Sequence, residues 1–331
     1  MGMIDRATLL VADLERVPAV LRRHAAAGSA DLGWGGRDDL SWPPRRIVLT
    51  GLGSSRFAAL SVAPVLRDAG LEVVVEHASS SRPAPAGAGT LVVAISSSGS
   101  TPETVAAAHR ARTAGATVLA VTNRPESELA RAATRTVELT AGDEASGVAS
   151  ATYAATVAVL VRVAQSLGAE VDAPRVLALA ADAGEAVFAG HTAWLAAAAD
   201  LLDGGVAVHV LADAAALGTA EQAALLLREG PRLDADATDA GDWLHVGIYT
   251  ALPDYRAILL AGTPYDSALV ETIHGRGGRV LAIGEPVPDA DLAVLLPDGA
   301  LGDALARALV EPLVTSILAA ELWRRARAID R

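Results

Sequence analysis

The chain has 331 residues, 52% hydrophobic and 20% charged, so it can bury a sizeable core and wholesale disorder is excluded. A net charge of −12 argues against nucleic acid as a partner, and the lack of cysteine removes disulfides, thiolate nucleophiles, zinc–thiolate sites and iron–sulfur clusters. All 27 basic residues are arginine; without lysine, imines with carbonyl substrates and pyridoxal phosphate held as an imine are excluded, and no cofactor is called for.

Asp5–Ala27 alternates apolar and charged residues at helical spacing, and Gly28–Pro44 reads as a connector. Arg46–Thr50 is a strand, followed by the turn Gly51-Leu52-Gly53-Ser54-Ser55 and a helix from Arg56 to about Ala69. Leu71–Glu76 is the next strand and Ser79–Gly89 a loop of small residues. Leu91–Ile95 is a short apolar run of strand length, and Ser96-Ser97-Ser98-Gly99-Ser100-Thr101 follows it at once. Pro102 and Glu103 suit the first turn of a helix that ends at Gly115. Thr117–Val121 is a strand, Glu126–Ala133 a short helix, Arg135–Leu139 a fifth strand and Ala141–Ser150 a polar turn.

Two long helices, Ala151–Leu167 and Ala173–Leu202, come next. The second half then reads as strand Val206–Leu211, helix Ala216–Glu229, an irregular stretch Arg232–Val246, strand Arg256–Leu260, helix Asp266–His274, strand Arg279–Ile283, an edge strand within Asp289–Leu296 and a final helix Asp303–Ala328. The halves echo each other: AILLAGTPYDSALVETIHGRGGRVLAI repeats the strand, loop, helix and strand of Leu91–Val121. The expected fold is α/β, with two doubly wound parallel-sheet domains of flavodoxin-like type related by duplication, at 1–170 and 171–331. Only the first copy keeps the serine-rich loop.

Five hydroxyls in six positions at a helix N-terminus are built to hold an oxyanion, since backbone N–H groups point out of the helix end and hydroxyls add donors without bulk. Gly51 and Gly53 could begin a dinucleotide fingerprint, but Arg56 stands where its third glycine belongs. Ser55 instead adds a second hydroxyl ledge to the same pocket. The seven histidines show no metal spacing, so no metal is assigned. The N-terminus lacks a basic start before a long apolar run, and Ala154–Val161 and Ala193–Leu202 are too short to span a bilayer. A cytoplasmic protein with no membrane partner is expected.

GLGSS after a strand, ISSSGSTPET opening a helix, then AVTN, SELARAA and AGDEASGVAS resemble the sugar isomerase (SIS) domain family across about Ile47–Thr152. TAEQAALLLREG and the later His245 resemble the second SIS domain in the isomerase part of glucosamine-6-phosphate synthase. The resemblance implies a sugar phosphate held by Ser55, Ser96, Ser98 and Thr101 with the N–H of Ser97, and a sugar touched by Ser150 or Thr152. It implies Glu229 as the proton-transfer base and His245 as the residue that helps open the sugar ring, often supplied by the neighbouring subunit of a homodimer. None of these 331 residues resembles the glutamine-hydrolysing domain of the synthase, so glutamine is not expected as ammonia donor. Leu226 stands where the synthase has a lysine, which leaves Arg228 or Arg232 to supply positive charge. Imine-forming amination is therefore unavailable, whereas aldose–ketose isomerisation through an enediol needs no imine. The expectation is a phosphosugar isomerase or deaminating isomerase, with a non-catalytic sugar-phosphate-binding regulator as the alternative.

Overall fold

Short, fully apolar strands separated by helices favour parallel sheets covered on both faces. The computed structural model, which describes residues 5–27, 32, 44–205 and 207–329, contains two of them. The chain opens with α1 (Arg6–Glu15) and α2 (Val17–Ala26). The first sheet and its helices follow as β1 (Arg46–Gly51), α3 (Ser54–Asp68), β2 (Glu72–His77), β3 (Thr90–Ile95), α4 (Pro102–Thr113), β4 (Thr117–Thr122), α5 (Glu128–Ala132) and β5 (Arg135–Glu138). All strands are parallel, in the order β2-β1-β3-β4-β5. Every residue of β3 is buried, as a central strand with two covered faces requires.

Next come α6 (Ala151–Ser166), α7 (Ala173–Gly190) and α8 (Leu195–Leu202). The second sheet is built from β6 (Val208–Ala212), α9 (Leu217–Glu229), β7 (Ala235–Asp239), α10 (Ala240–Trp243), β8 (Arg256–Leu260), α11 (Asp266–Gly275), β9 (Arg279–Gly284) and β10 (Leu292–Leu295), followed by α12 (Asp298–Leu301) and α13 (Ala304–Ile329). It too is all parallel, in the order β10-β9-β8-β6-β7. Read from β7, that is the same 2-1-3-4-5 winding as the first sheet. The α/β architecture with two doubly wound parallel sheets is as expected.

The structure divides into two compact units. One comprises Ala19–Asp143 and Ala151–Ala178 and holds the first sheet; the other comprises Met1–Pro18, Glu144–Ser150 and Leu179–Arg331 and holds the second. In the first unit a core of Val48, Val92, Val118 and Leu129 sits between sheet and helices. In the second, Leu259, Leu269, Ile273 and Trp243 do the same, with the Trp243 indole N–H donating to the Tyr255 hydroxyl at 2.6 Å.

Two sequence expectations are corrected. The helix predicted over Ala173–Leu202 ends at Gly190; a 3₁₀ turn, His191–Ala193, separates α7 from α8. The stretch read as irregular, Arg232–Val246, contains β7 and α10. As an edge strand with only one buried position, β7 has no need of the apolar run that marks a central strand. The predicted connector Gly28–Pro44 lies outside the described residues except for Leu32 and Pro44, and so does Val206. Among the described residues no helix is long and apolar enough to cross a membrane.

Candidate functional site

In a doubly wound sheet, ligands bind beyond the carboxyl ends of the strands where the winding reverses. In the first unit that point lies between β1 and β3. Gly51–Ser55 leaves β1 there, and Ser96–Thr101 leaves β3 beside it. A β carbon on Gly51 would lie 2.9 Å from Ser55 Cβ and 3.1 Å from the Ile95 carbonyl oxygen, so only glycine lets Ser55 sit over this seam. Ser55, Ser96, Ser97, Ser98 and Thr101 are thus gathered at one sheet end.

The serine-rich loop is held from behind. The Ser96 N–H donates to Val121 O at 3.1 Å, and Ser97 O accepts from the Asn123 N–H at 3.0 Å and the Thr122 hydroxyl at 3.1 Å. The Asn123 side chain in turn bridges to Ala141 N and Gly142 O. Gly99 turns the loop at φ 63°; a β carbon there would meet Ser127 Oγ at 2.1 Å, so no other residue fits.

On the open side, donors are left over. Ser96 Oγ and Thr101 Oγ1 lie 2.8 Å apart, and Ser98 Oγ accepts from the Ser100 hydroxyl at 3.1 Å. Because Thr101 faces Ser96, its side chain does not cap α4, and Gly53 has none with which to cap α3. Among the described residues the N–H groups of Ser97 and Ser98 donate to nothing. Two uncapped helix ends, two unused amides and a hydroxyl cluster make a cradle that attracts an oxyanion.

The other predicted residues are placed differently. Thr152 is buried in the first turn of α6. Ser150, Glu229 and His245 belong to the second unit. Ser150 is buried, and both its N–H and its hydroxyl donate to the Glu144 carboxylate at 3.0 Å. That turn is held by Asp13, whose carboxylate accepts from Ala145 N at 3.1 Å and Ser146 N at 2.8 Å, and by Arg16. Burial pushes Asp13 up, but the Ser146 and Ala145 amides, the Ser146 hydroxyl and Arg16 outweigh it and hold its carboxyl below the usual range. Gln222 of α9 ties the helix that carries Glu229 to the same turn by donating to Ala149 O at 3.0 Å.

Glu229 ends α9 and its side chain is exposed, yet the protein around its carboxyl still pushes it above the ordinary carboxylate range by desolvation, against the opposing charge of Arg228. Arg228 itself is committed to Ala235 O at 3.0 Å. Leu226 is fully buried. His245 lies exposed just after α10, flanked by the exposed apolar side chains of Val246, Tyr249 and Leu252. Glu144, Asp13, Gln222 and Asn123 escaped the sequence reading because their partners are set by the fold; Asp13 and Ser146, for example, are 133 positions apart. Among the described residues no cluster of His, Asp and Glu could hold a metal ion.

The SIS domain family matches residues 42–166. A glutamine–fructose-6-phosphate aminotransferase (isomerizing) from Gloeobacter violaceus is 36% identical over 120 residues, covering 35% of this chain and 20% of that protein. The corresponding protein of Aeropyrum pernix is 29% identical over 223 residues, covering 63% and 35%. The chain therefore spans a fifth to about a third of the length of these relatives. Among solved structures, the C-terminal domain of glucosamine-fructose-6-phosphate aminotransferase from Francisella tularensis superposes with a TM-score of 0.78 at 16% identity, covering 97% of this chain and 96% of that one. The segment that matches the SIS domain family, residues 42–166, contains the serine-rich loop, and the second sheet repeats the winding of the first.

Proposed function

We propose that the protein is a phosphosugar aldose–ketose isomerase, or a closely related deaminating isomerase, working in the cytoplasm through an enediol. The observation that carries this reading is the Ser96–Thr101 cradle, with the unused N–H groups of Ser97 and Ser98 and the uncapped ends of α3 and α4 around it. It takes the phosphate, so binding energy far from the reacting carbons positions the sugar. Ser55, Ser96, Ser98 and Thr101 supply hydroxyls, and Ser150 or Thr152 meets the sugar.

Glu229 is the base. Its carboxylate removes the proton from C2 of the open-chain aldose; the C–H electrons form the C1–C2 double bond, and the carbonyl oxygen takes a proton. Return of the proton to C1, with the C2 hydroxyl giving up its proton to solvent as its electrons close the C2 carbonyl, then gives the ketose. The raised pKa of Glu229 supports the role, since a base works best when its pKa approaches the working pH. His245 assists ring opening. The exposed Val246, Tyr249 and Leu252 beside it support a homodimer in which a second copy covers this surface and shares the site.

One observation favours a second reading, a sugar-phosphate-binding regulator. Leu226 is buried where the resembled synthase carries a lysine, and the chain has no lysine to take its place. Exchange of the C2 proton of hexose phosphates in heavy water separates the two. The isomerase exchanges it, and Glu229→Gln abolishes exchange while leaving binding intact. Binding without exchange for every sugar phosphate identifies the regulator, and exchange surviving in Glu229→Gln removes that residue from the mechanism.

A further inference from the structure

The link between β2 and β3 is unusual for a doubly wound sheet. Such crossovers normally carry a helix that covers the sheet. Here residues 78–89 cross with no helix at all, in a segment of Ser, Pro, Ala and Gly interrupted only by Arg82. The face that the helix would have covered is left with a cavity of about 280 Å³, near the lower end of small-molecule sites. Its floor is Val48 of β1 and Val92 of β3, and one side is the alanine face of α4. Four polar side chains reach it: Thr50, Glu76, His77 and Arg110.

These groups leave a defined set of bonds open. Glu76 Oε1 accepts from the Ala84 N–H at 2.8 Å, and no other bond to its carboxylate is made among the described residues. Arg110 has neither an ion pair nor a side-chain hydrogen bond among them. The pocket thus presents one carboxylate and one guanidinium, unpaired with each other, over an apolar floor. His77 adds no charge at neutral pH, because burial and then the nearby Arg56 charge lower its pKa.

We propose that this cavity is a binding site for a small amino-acid-like zwitterion, with its ammonium on Glu76, its carboxylate on Arg110 and its apolar body on the Val48–Val92 floor. A simple anion would have to face the Glu76 carboxylate, and a simple amine the Arg110 charge. A neutral molecule would leave half-buried Glu76 with the Ala84 N–H as its one partner among the described residues and would make no use of Arg110, exposed at the rim. Only a ligand carrying both charges answers both groups, and the valine and alanine walls favour an aliphatic body over a polar one. None of the residues that line the cavity belongs to the Ser96–Thr101 loop.

The test is saturation-transfer NMR on the full chain with three probes of one carbon skeleton: L-leucine, 4-methylpentanoate, which lacks the amine, and 3-methylbutylamine, which lacks the carboxylate. Saturation is expected to pass to L-leucine, with each analogue binding about tenfold more weakly or worse. Glu76→Gln keeps an acceptor for the Ala84 N–H, and Arg110→Gln breaks no side-chain hydrogen bond or ion pair among the described residues; each should weaken L-leucine by about tenfold or more. Ala107→Leu, which fills the cavity from α4 and leaves both charges in place, should abolish binding. No transfer to L-leucine, equal transfer to all three probes, or L-leucine binding unchanged in Glu76→Gln and Arg110→Gln would each overturn the proposal.

Discussion

The two sheets end in crevices of the same winding, but they treat the amides there in opposite ways. In the first, the Ser96 N–H donates across to β4 at Val121 O; in the second, the Ala261 N–H donates across to β9 at Ile283 O at 2.9 Å. That shared bond sets Ser97 against Gly262, Ser98 against Thr263 and Thr101 against Asp266. The Ser97 and Ser98 N–H groups are unused, whereas those of Gly262 and Thr263 donate to the Asp266 carboxylate at 2.7 and 3.2 Å. The turn after β6 is likewise capped by its own acid, Asp213, through the Ala215 N–H at 2.8 Å, where the turn after β1 has only Gly53. Arg307 closes the second crevice further, donating to Ala261 O and pairing with Glu311 at 2.7 Å. Of the two crevices, one leaves its amides to an outside acceptor and the other supplies an acceptor of its own.

The comparison breaks most visibly at the first crevice. Ser98→Ala with Thr101→Ala removes two hydroxyl donors, each worth about 1.5–3 kcal/mol to a charged acceptor. Calorimetric affinity for a hexose phosphate should fall about 100-fold or more, with little change for the neutral sugar. An equal loss for both would mean the hydroxyls serve the fold and not the phosphate.

A second effect belongs to the closed crevice. Burial pushes the Glu311 carboxyl up to about 7, with Arg307 pulling the other way. Between its ordinary value of 4.5 and about 7 the folded chain keeps a proton that the unfolded chain releases, so stability falls as pH rises through that window. The contribution is at most about 3 kcal/mol. Urea unfolding at pH 5 and pH 8 should show the drop, and Glu311→Gln should flatten it. Equal stability at the two pH values, unchanged in Glu311→Gln, would show Glu311 ionised throughout the window.

The smallest effect sharpens the comparison most. Asp266→Ala frees the Gly262 and Thr263 amides and should cost about 1 kcal/mol, as a lost cap does. Placed on the Ser98→Ala, Thr101→Ala background, it should let inorganic phosphate raise the melting temperature where the double variant shows no response. No response in the triple variant would mean the second crevice lacks more than an empty acceptor position.

Much of this was legible in the sequence. Leu91–Ile95 and Arg46–Thr50 are apolar enough to be read as central strands, and five hydroxyls around Gly99 stand out against any ordinary cap. The duplicated winding followed from the repeated strand–loop–helix–strand order. What stayed hidden depends on partners the chain order does not announce. ADATD reads as loop because an edge strand can be polar, and the Ala-rich run through Gly190 gives little warning of the break there. TPYD looks like any turn until the Asp266 carboxylate is seen folded back on the amides before it. Nor does the sequence announce that Glu144, six residues before Ser150, accepts from its hydroxyl.

The Asp266 cap also decides how each half responds to its surroundings. A crevice filled by its own side chain has the same stability in a starved cell as in a fed one. One that waits for a phosphorylated ligand gains stability only by mass action, about 4 kcal/mol when the ligand stands a thousandfold above its dissociation constant and nothing when it is absent. On that account the first sheet's unit would resist proteolysis and hydrogen exchange in proportion to the ambient pool of its ligand, with the second serving as an internal reference in the same molecule.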